Sequence, residues 1–453
     1  MARCLSAVAV RTQGRLRGDD ADFGVVGTDT RTLPPGSLFV AIKGDRFDGN
    51  KFVAAAAERG AVGAVVSELQ DVALPQIEVG DTRQAFGVMA RAWRENFDIP
   101  VVAVTGSAGK TTVKELIGSI LRVGRRACVT EGSLNNEIGV PLSLMRLDSA
   151  DDAMVVELGA NHAGEIANLG SLVEPTIGVI TNAGAAHLEG FGSLEGVAEA
   201  KGELIDCLPD DGVAILNADD VFFDVWRRRA GSRRVLSFGF TGEADFRLDG
   251  EIEASEQGST FAIATPAGDR IVVHLALLGR ANVANALAAA AAASAAGATA
   301  EAIQAGLERA SAVRGRMRQL EGQGGATLID DSYNANPSAA RAALDFLAGC
   351  KGQRIFVLGD MLELGDEAAA LHRAVGEYAS GRCDRLVAIG ALAAEAAAAF
   401  GEQGSECPDI AAAATALRSC LAPDVTVLVK ASRSVGLDRL VAALRKDDEG
   451  AEC

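Results

Sequence analysis

A short glycine-containing loop carries the residues whose types and spacing most clearly predict chemistry. The sequence TGSAGKTT occupies residues 105–112, between the apolar run VVAV at 101–104 and a helix-compatible stretch from 113 to 121. In a strand, loop and helix of this kind, backbone N–H groups and the helix N-terminus bind phosphate. The glycines allow close approach of the backbone, the lysine reaches the outer phosphates, and a hydroxyl can bind Mg²⁺. The residues predicted to bind a nucleotide are Gly106, Ser107, Ala108, Gly109, Lys110, Thr111 and Thr112.

The loop differs from the common Walker pattern at one position. That pattern has a glycine five positions before Gly109, where this chain has Val104. A chance turn of this composition is the alternative, but the strand before the loop and the helix after it favour phosphate binding. The departure argues against an ordinary GTPase or motor ATPase.

Two further side chains predict a metal site near the loop. Glu157 follows an apolar run at 154–156, and His187 follows a second apolar run at 177–180. Open α/β sheets bind ligands at the carboxyl ends of their strands, and carboxylate and imidazole groups are metal ligands. A charge at a helix N-terminus and a structural histidine are the alternatives. The position of both residues after strands favours the metal site.

The apolar pattern divides the chain into three units. Residues 1–98 combine short apolar runs with turn signals and end in a helix predicted around 85–97. Strands then alternate with helices, which is typical of parallel sheets. The alanine-dense stretch at 282–298 is predicted to be helical, because alanine is the best helix former. Strands of the last unit are predicted at 327–329, 354–358 and 425–429. The predicted fold class is α/β, with domains at 1–98, 99–313 and 314–453.

Composition limits the classes of function. The chain has 453 residues, 49% of them hydrophobic, and a net charge of -18, which argues against non-specific binding to nucleic acid or anionic membranes. No apolar run reaches the roughly 18 residues of a membrane span or forms a signal peptide, so we expect a cytoplasmic protein without membrane insertion. The eight cysteines form no CxxC pair, which predicts reduced thiols. The acidic tail, 446–453, is predicted to be a disordered end.

The motifs occur in an order that resembles the Mur ligases, over about residues 25 to 435. The shorter loop TGxxGKTT resembles both these ligases and the folylpolyglutamate synthetases. The run DDSYNANP at 330–337 resembles a motif of one branch of the family, the ligases that add the dipeptide D-alanyl-D-alanine. The other matching segments are NNEIGVP (135–141), ELGAN (157–161), NAGAAHLEGFG (182–192), AKGE (200–203), GRANVANAL (279–287), LGDMLELG (358–365) and KASR (430–433).

The resemblance implies a fold, an activity and its ligands. It implies a central P-loop parallel-sheet ATPase domain, an amino-terminal domain for the UDP end of the substrate, and a C-terminal Rossmann-like domain. It also implies an ATP-dependent, ADP-forming ligase that joins UDP-N-acetylmuramoyl-tripeptide to D-alanyl-D-alanine through an acyl phosphate, in peptidoglycan precursor synthesis. The implied cofactors are ATP and two Mg²⁺ ions, and the expected state is a monomer without nucleic-acid partners.

The resemblance also assigns roles to particular residues. Lys201 on composition alone would be a solvated surface lysine, but the family has a carbamylated lysine in this motif. A carbamate is an oxygen ligand suited to a hard metal, whereas an ammonium would be repelled by it. The implied metal ligands are Thr111, Glu157, His187 and Lys201, and the catalytic set is Lys110, Glu157, His187 and Lys201. The implied nucleotide contacts are Asn282, Asn285, Arg316, Asp331, Tyr333 and Asn336. The implied substrate contacts are Thr30, Arg31, Lys43, Asn135, Asn136, Asp360, Ser432 and Arg433.

Two other functions stay open at this point. A sister ligase could use another amine, although the DNPR-like motif expected of a ligase for the preceding amino acid is absent from the third unit. The second alternative is a regulatory protein that binds a nucleotide but catalyses no reaction. Nucleotide binding alone does not require Lys110, Glu157, His187 and Lys201 together. Ligands bound to three domains meet only if the domains close over them. We therefore expect hinges between the domains near 98–100 and 313–316.

Overall fold

A computed structural model describes residues 2–44, 47–240 and 242–446. The predicted disordered end at 446–453 lies outside the described residues, except for Lys446. Within the described ranges, no helix is both long enough and apolar enough to span a membrane. The described cysteines are free thiols.

The first part of the chain forms a small five-stranded sheet. Its strand order is β1-β5-β4-β3-β2, and only the edge strand β1 is antiparallel to its neighbour. Its elements are α1 (Leu5–Arg11), β1 (Arg15–Arg17), β2 (Val26–Gly27), β3 (Leu38–Val40), α2 (Val53–Glu58), β4 (Gly63–Val66), β5 (Gln76–Glu78) and α3 (Thr82–Arg94). Helix α3 begins three residues before the prediction, because the Asp81 carboxylate caps it by accepting hydrogen bonds from the N–H groups of Arg83 and Gln84.

The middle of the chain forms a ten-stranded sheet. The order is β13-β14-β12-β11-β10-β9-β6-β8-β7, with β15 paired to β14, and the strands from β7 to β12 are parallel. Its strands are β6 (Val101–Thr105), β7 (Ala127–Val129), β8 (Ala153–Glu157), β9 (Ile177–Ile180), β10 (Val213–Asn217), β11 (Arg234–Gly239), β12 (Phe246–Leu248), β13 (Glu253–Ser255), β14 (Gly258–Ala264) and β15 (Arg270–Leu275). Its helices are α4 (Lys110–Leu121), α5 (Gly139–Leu144), α6 (Glu165–Val173), α7 (Leu188–Phe191), α8 (Leu194–Asp206), α9 (Phe223–Ala230), α10 (Arg280–Ala295) and α11 (Ala300–Glu308).

The last part of the chain forms a six-stranded sheet that is parallel except at its edge strand β16. The order is β16-β17-β21-β18-β19-β20. Its elements are β16 (Arg318–Glu321), β17 (Thr327–Asp331), α12 (Pro337–Ala348), β18 (Gln353–Gly359), α13 (Ala368–Ala379), β19 (Arg385–Ile389), α14 (Ala391–Phe400), β20 (Gly404–Cys407), α15 (Ile410–Arg418), β21 (Val425–Lys430) and α16 (Asp438–Leu444). These three sheets confirm the predicted α/β fold class.

The alanine-dense stretch is a buried helix. Helix α10 packs in the core of the central sheet beside α4, and alanines 288 to 293 are at most 1% exposed. Small side chains allow neighbouring elements to approach closely, so composition here reflects packing rather than low complexity. A second core is continuous between the first and middle parts of the chain, since Leu38, Val101 and Val156 belong to one cluster.

Candidate active site

The strand order of the central sheet explains why the predicted site residues meet. Strand β6 leads into the phosphate loop and lies between β8 and β9. Glu157 is the last residue of β8, and Thr181 directly follows β9. All three strands are parallel, so their carboxyl ends lie at one edge of the sheet.

The phosphate loop is held from the neighbouring strand end. The hydroxyl of Thr181 donates to the carbonyl of Ala108 at 2.6 Å, and the Asn182 side chain accepts from the Ala108 N–H at 2.9 Å. Ser107 exchanges two hydrogen bonds with the backbone of Gly184, at 3.1 and 2.9 Å. Gly109 has φ +82° and lies against the Asn285 side chain. These hydrogen bonds fix the shape of the loop.

We expect Gly106→Ala to disrupt this loop. Gly106 has φ +143°, and a Cβ at this position would overlap the hydroxyl of Thr181. A displacement of about 1 Å can cost about 10²-fold in rate, so we expect a loss of that order in kcat/KM for ATP in steady-state assays. Gly124→Ala is the matched control, since its Cβ would meet nothing within 4 Å. Equal kinetics for the two variants would contradict this account of the loop.

Helix α4 begins with the two residues predicted to act on phosphate and metal. Lys110 Nζ donates to the carbonyl of Gly106 at 2.6 Å, and Thr111 Oγ1 donates to Glu157 Oε2 at 2.9 Å. The other carboxylate oxygen of Glu157 accepts from the Asn135 amide at 2.7 Å. Burial lowers the pKa of Lys110, while the nearby Glu157 opposes that shift. A bound phosphate would stabilise the charged form of this lysine.

Lys201 is a buried lysine in the same region. It is 2% exposed, and its Nζ donates to the carbonyl of Ala160 at 3.4 Å and faces the ring of Phe191. Burial, followed by the positive charge of Lys110, lowers the pKa of Lys201 from 10.5 to about 7. The amine is therefore largely neutral above pH 7 and protonated below it. The surface alternative is wrong, because this side chain is enclosed.

His187 lies at the boundary between the middle and last parts of the chain. It has a left-handed φ of +55° before α7, and its Nδ1 faces the carboxylate of Glu363. Burial lowers the pKa of His187, an effect that Glu363 opposes and that Lys110 and Lys201 reinforce. A neutral imidazole is the form that binds metal ions.

Two of the four predicted donors, Thr111 and Glu157, are in contact and suit a hard divalent cation. Among the described residues there is no group of three or more His, Cys, Asp or Glu side chains arranged as a metal site. The predicted set combines the hydroxyl of Thr111, the carboxylate of Glu157 and the ring of His187 with a lysine. Both oxygens of Glu157 are already oriented by hydrogen-bond donors. A hydroxyl and a carboxylate are oxygen ligands of the kind Mg²⁺ prefers.

Three of the residues predicted to contact the nucleotide line a cavity beside helix α4. The cavity, of about 320 Å³, is lined in part by Thr112, Asn282 and Arg316. Asn282 donates to the carbonyl of Leu278 at 2.8 Å and accepts from Asn285 at 3.0 Å. Arg316 lies over the ring of Tyr333 at 4.1 Å and reaches Thr111 Oγ1 at 3.5 Å. The last part of the chain thus contacts the phosphate-loop helix.

The remaining predicted residues of the last sheet are mostly engaged in local structure. Asp331 is held by the buried ammonium of Lys430 and by the N–H of Met317 at 3.2 Å. Asn336 caps α12 through the N–H of Ala339 at 2.8 Å. Two others lie near the loop that carries Glu363: Asp360 accepts from the N–H of Ala393 at 2.7 Å, and Ser432 accepts from the N–H of Leu362 at 2.9 Å. The exposed Arg433 faces Tyr333 and Asp438.

The predicted substrate residues near the amino terminus form a separate group. Thr30 is half-buried in a turn, Arg31 pairs with Asp29, and Lys43 pairs with Glu68 at 2.9 Å. The Asn136 side chain, further along the chain, accepts from the N–H of Gly139 at the start of α5, at 2.9 Å. Asn135, by contrast, donates directly to the Glu157 carboxylate.

Three residues of the site were not predicted from the sequence. They are Thr181 and Asn182, which hold the loop, and Glu363, which faces His187. Thr181 and Asn182 follow an apolar run. That run predicts the strand, but it does not predict the hydrogen bonds from these two residues to the phosphate loop. Glu363 carries no local signal, because its role depends on contact with a distant part of the chain.

The site consists of a strand, a phosphate loop and a helix, with an oriented carboxylate beside the loop. This arrangement defines an enzyme fold that binds nucleotide phosphates, and comparison with known proteins identifies the family. Family models match in three consecutive stretches: Mur ligase family, catalytic domain, at residues 22–103; Mur ligase middle domain, at 104–293; and Mur ligase, glutamate ligase domain, at 315–433.

Whole-chain relatives agree with the family models. The chain is 44% identical to the UDP-N-acetylmuramoyl-tripeptide--D-alanyl-D-alanine ligase of Escherichia coli, over 98% of each chain. A crystal structure of MurF from Acinetobacter baumannii aligns with a TM-score of 0.90 and 35% identity, over 96% of this chain and 97% of that one. The MurF ligase of Thermotoga maritima in complex with ADP aligns with a TM-score of 0.82 and 28% identity, over 92% and 96%.

The chain belongs to the Mur ligase family. This confirms the resemblance predicted from the motifs, the three-domain architecture and the class of ATP-dependent, ADP-forming ligase.

Proposed function

We propose that this chain joins D-alanyl-D-alanine to UDP-N-acetylmuramoyl-tripeptide at the expense of ATP, in peptidoglycan precursor synthesis. The observation that carries the proposal is the combination of the Lys110 and Thr111 loop with the oriented Glu157, in a chain 44% identical over its length to a ligase named for this reaction. A protein that only bound nucleotide would not need Lys201 buried beside this loop.

The proposed reaction has two transfers. A carboxylate oxygen of the tripeptide attacks the γ-phosphorus of ATP, the bond from phosphorus to the ADP oxygen breaks, and an acyl phosphate and ADP form. The ammonium of D-alanyl-D-alanine loses a proton to give the neutral amine, which attacks the acyl carbon. Phosphate leaves with the bonding electrons, and the nitrogen releases a second proton to give the amide. Phosphoryl transfer depends mainly on positioning and charge neutralisation, which Lys110 and the backbone of the loop supply.

We assign the metal site to Thr111, Glu157, His187 and a carbamylated Lys201. Mg²⁺, when bound, would neutralise charge on the transferring phosphoryl group. A neutral lysine adds CO₂ to give a carbamate and releases one proton, and the lowered pKa of Lys201, about 7, favours that step at neutral pH. The carbamate would replace a buried cation with an anionic oxygen ligand.

Each domain has a proposed ligand. The residues Thr30, Arg31 and Lys43 of the first domain would bind the UDP end of the substrate. The 320 Å³ cavity beside Asn282 and Arg316 would receive the adenosine end of ATP. The last domain, with Asp360, Ser432 and Arg433, would bind D-alanyl-D-alanine. We place domain boundaries at 98/99 and 313/314, and we expect the protein to act in the cytoplasm as a monomer, a state that light scattering would measure.

The test is ADP release from ATP, Mg²⁺ and UDP-N-acetylmuramoyl-tripeptide, with different amine acceptors. We expect release that depends on D-alanyl-D-alanine and is absent with single L-amino acids or no acceptor. Dependence on a single amino acid would move the assignment to a sister ligase. No release with any acceptor would leave a nucleotide-binding protein without chemistry and overturn the proposal.

A further inference from the structure

Lys114 is a fully buried lysine that the proposed reaction does not use directly. It lies on α4, one turn after Lys110 and Thr111, and is 0% exposed. Lysine is rarely buried unless its charge is paired, because removing an ammonium from water is unfavourable. A helix packed in a core would ordinarily have an apolar residue at this position, so the ammonium group needs an explanation.

The ammonium of Lys114 makes contacts that account for its three donors. Its Nζ donates to the carbonyl of Thr130 at 2.7 Å and to the carbonyl of Gly132 at 3.0 Å. It also pairs with Glu115 Oε1 at 2.7 Å. An ammonium has three N–H donors and no acceptor, so the group is fully satisfied. Two of its partners are backbone atoms of the loop between β7 and α5.

That loop carries the group that orients Glu157. Asn135 lies three residues after Gly132, and its amide donates to Glu157 Oε1 at 2.7 Å. The carbonyl of Asn135 accepts from the N–H of Gly159 at 2.8 Å, and a Cβ at Gly159 would come within 2.9 Å of the Asn135 side chain. The hydroxyl of Thr130 also accepts from the N–H of Glu157 at 3.3 Å. The loop thus contacts the end of β8 at several atoms.

We propose that Lys114 is a positioning residue that ties the phosphate-loop helix to the loop 130–136 and thereby fixes the Glu157 carboxylate between Thr111 and Asn135. One helix then sets both sides of the metal site: Thr111 directly, and Asn135 through the carbonyls that Lys114 holds. This inference rests on the proposed metal site at Glu157. It adds a residue that touches neither nucleotide nor metal.

A purely structural role is the alternative, and the geometry favours positioning. A methionine would fill the same space without desolvating a charge, so packing alone does not require a lysine. Two of the three acceptors around Lys114 are carbonyls close to the residue that touches Glu157, and the third, Glu115, lies on its own helix. Outer partners of metal ligands typically contribute about 10-fold to 100-fold to metal affinity, which gives the expected size of the effect.

The test compares Lys114→Met, Asn135→Ala and the double variant in the full-length protein, with Lys351→Met as control for loss of an exposed lysine. Mn²⁺ binding to the ADP-loaded protein is titrated by electron paramagnetic resonance, alongside the Mg²⁺ dependence of ADP release. We expect Lys114→Met to weaken Mn²⁺ binding about tenfold and to leave the KM for D-alanyl-D-alanine within about twofold. The double variant should bind Mn²⁺ about as weakly as the weaker-binding single variant, because both substitutions break the same connection between α4 and Glu157.

Several outcomes would overturn the inference. Wild-type Mn²⁺ affinity in Lys114→Met, or fully additive effects with Asn135→Ala, would show that the lysine does not act through the loop. If Lys114→Met does not fold, Lys114→Gln, which keeps a donor, is measured instead and should give a smaller loss; failure of both to fold would mean a structural role alone. Absence of acceptor-dependent ADP release in the wild type would overturn the proposed function. The Mn²⁺ affinities of the wild type and Lys114→Met would still decide the role of Lys114.

Discussion

Lys201→Arg is expected to reduce kcat by more than about 100-fold, although arginine keeps the positive charge. The expectation follows from the proposed carbamate: arginine stays protonated and does not add CO₂, so the site loses an anionic oxygen ligand. Outer partners of a metal contribute about 10-fold to 100-fold, and a direct ligand should exceed that range. Steady-state ADP release with saturating substrates gives kcat.

Two controls separate the carbamate from a role for the lysine as a cation. The wild type should show a carbamate carbon resonance in ¹³C NMR after exposure to ¹³CO₂, and Lys201→Arg should not. Lys201→Met, which removes the charge and keeps most of the buried stem, should be as inactive as Lys201→Arg. If Lys201→Arg is active while Lys201→Met is not, and no resonance is found, the lysine acts as a cation and the carbamate assignment is wrong.

Lys110→Met is expected to lower kcat by about 10²-fold to 10³-fold, the range seen when one donor to a developing oxyanion is removed. The ammonium of Lys110 lies within 2.6 Å of the carbonyl of Gly106, at the start of α4, where it can reach the phosphoryl group. Methionine keeps the stem and removes the charge. Single-turnover measurements with ATP and tripeptide would report the phosphoryl-transfer step itself.

Lys351→Met, which removes an exposed lysine from the last domain, should leave that step unchanged. The melting temperature of Lys110→Met should stay near that of the wild type, because burial already lowers the pKa of this lysine and its charge does not stabilise the fold. A normal single-turnover rate in Lys110→Met would mean that the loop binds nucleotide without neutralising the transferred group.

The strands and their carboxyl ends could be predicted from sequence because both depend on local pattern. The apolar runs before Thr105 and Glu157 end where the side chains change from apolar to polar, and the structure ends β6 and β8 at these residues. The order of strands could not be read from the chain. It is this order, with β6 between β8 and β9, that brings Thr181 against Gly106.

The burial of charged residues was the hardest property to predict. A lysine in an amphipathic stretch normally faces solvent, so composition predicts a surface position for Lys201, and only the family resemblance assigns it to the metal site. Nothing local marks Lys114 as buried. Both are enclosed by segments distant in sequence: Ala160 for Lys201, and Thr130 and Gly132 for Lys114. Asn336 was assigned to the nucleotide, and in the structure it caps α12, a local role typical of asparagine at a helix start.

The most direct test of the central claim follows oxygen from the tripeptide carboxylate. The tripeptide is labelled with ¹⁸O in its terminal carboxylate and incubated with ATP, Mg²⁺ and D-alanyl-D-alanine, and the product and phosphate are analysed by mass spectrometry. Activation as an acyl phosphate predicts one ¹⁸O in the released phosphate and one retained in the new amide of a UDP-linked pentapeptide. Phosphate without label, or the absence of a pentapeptide product, would contradict the account.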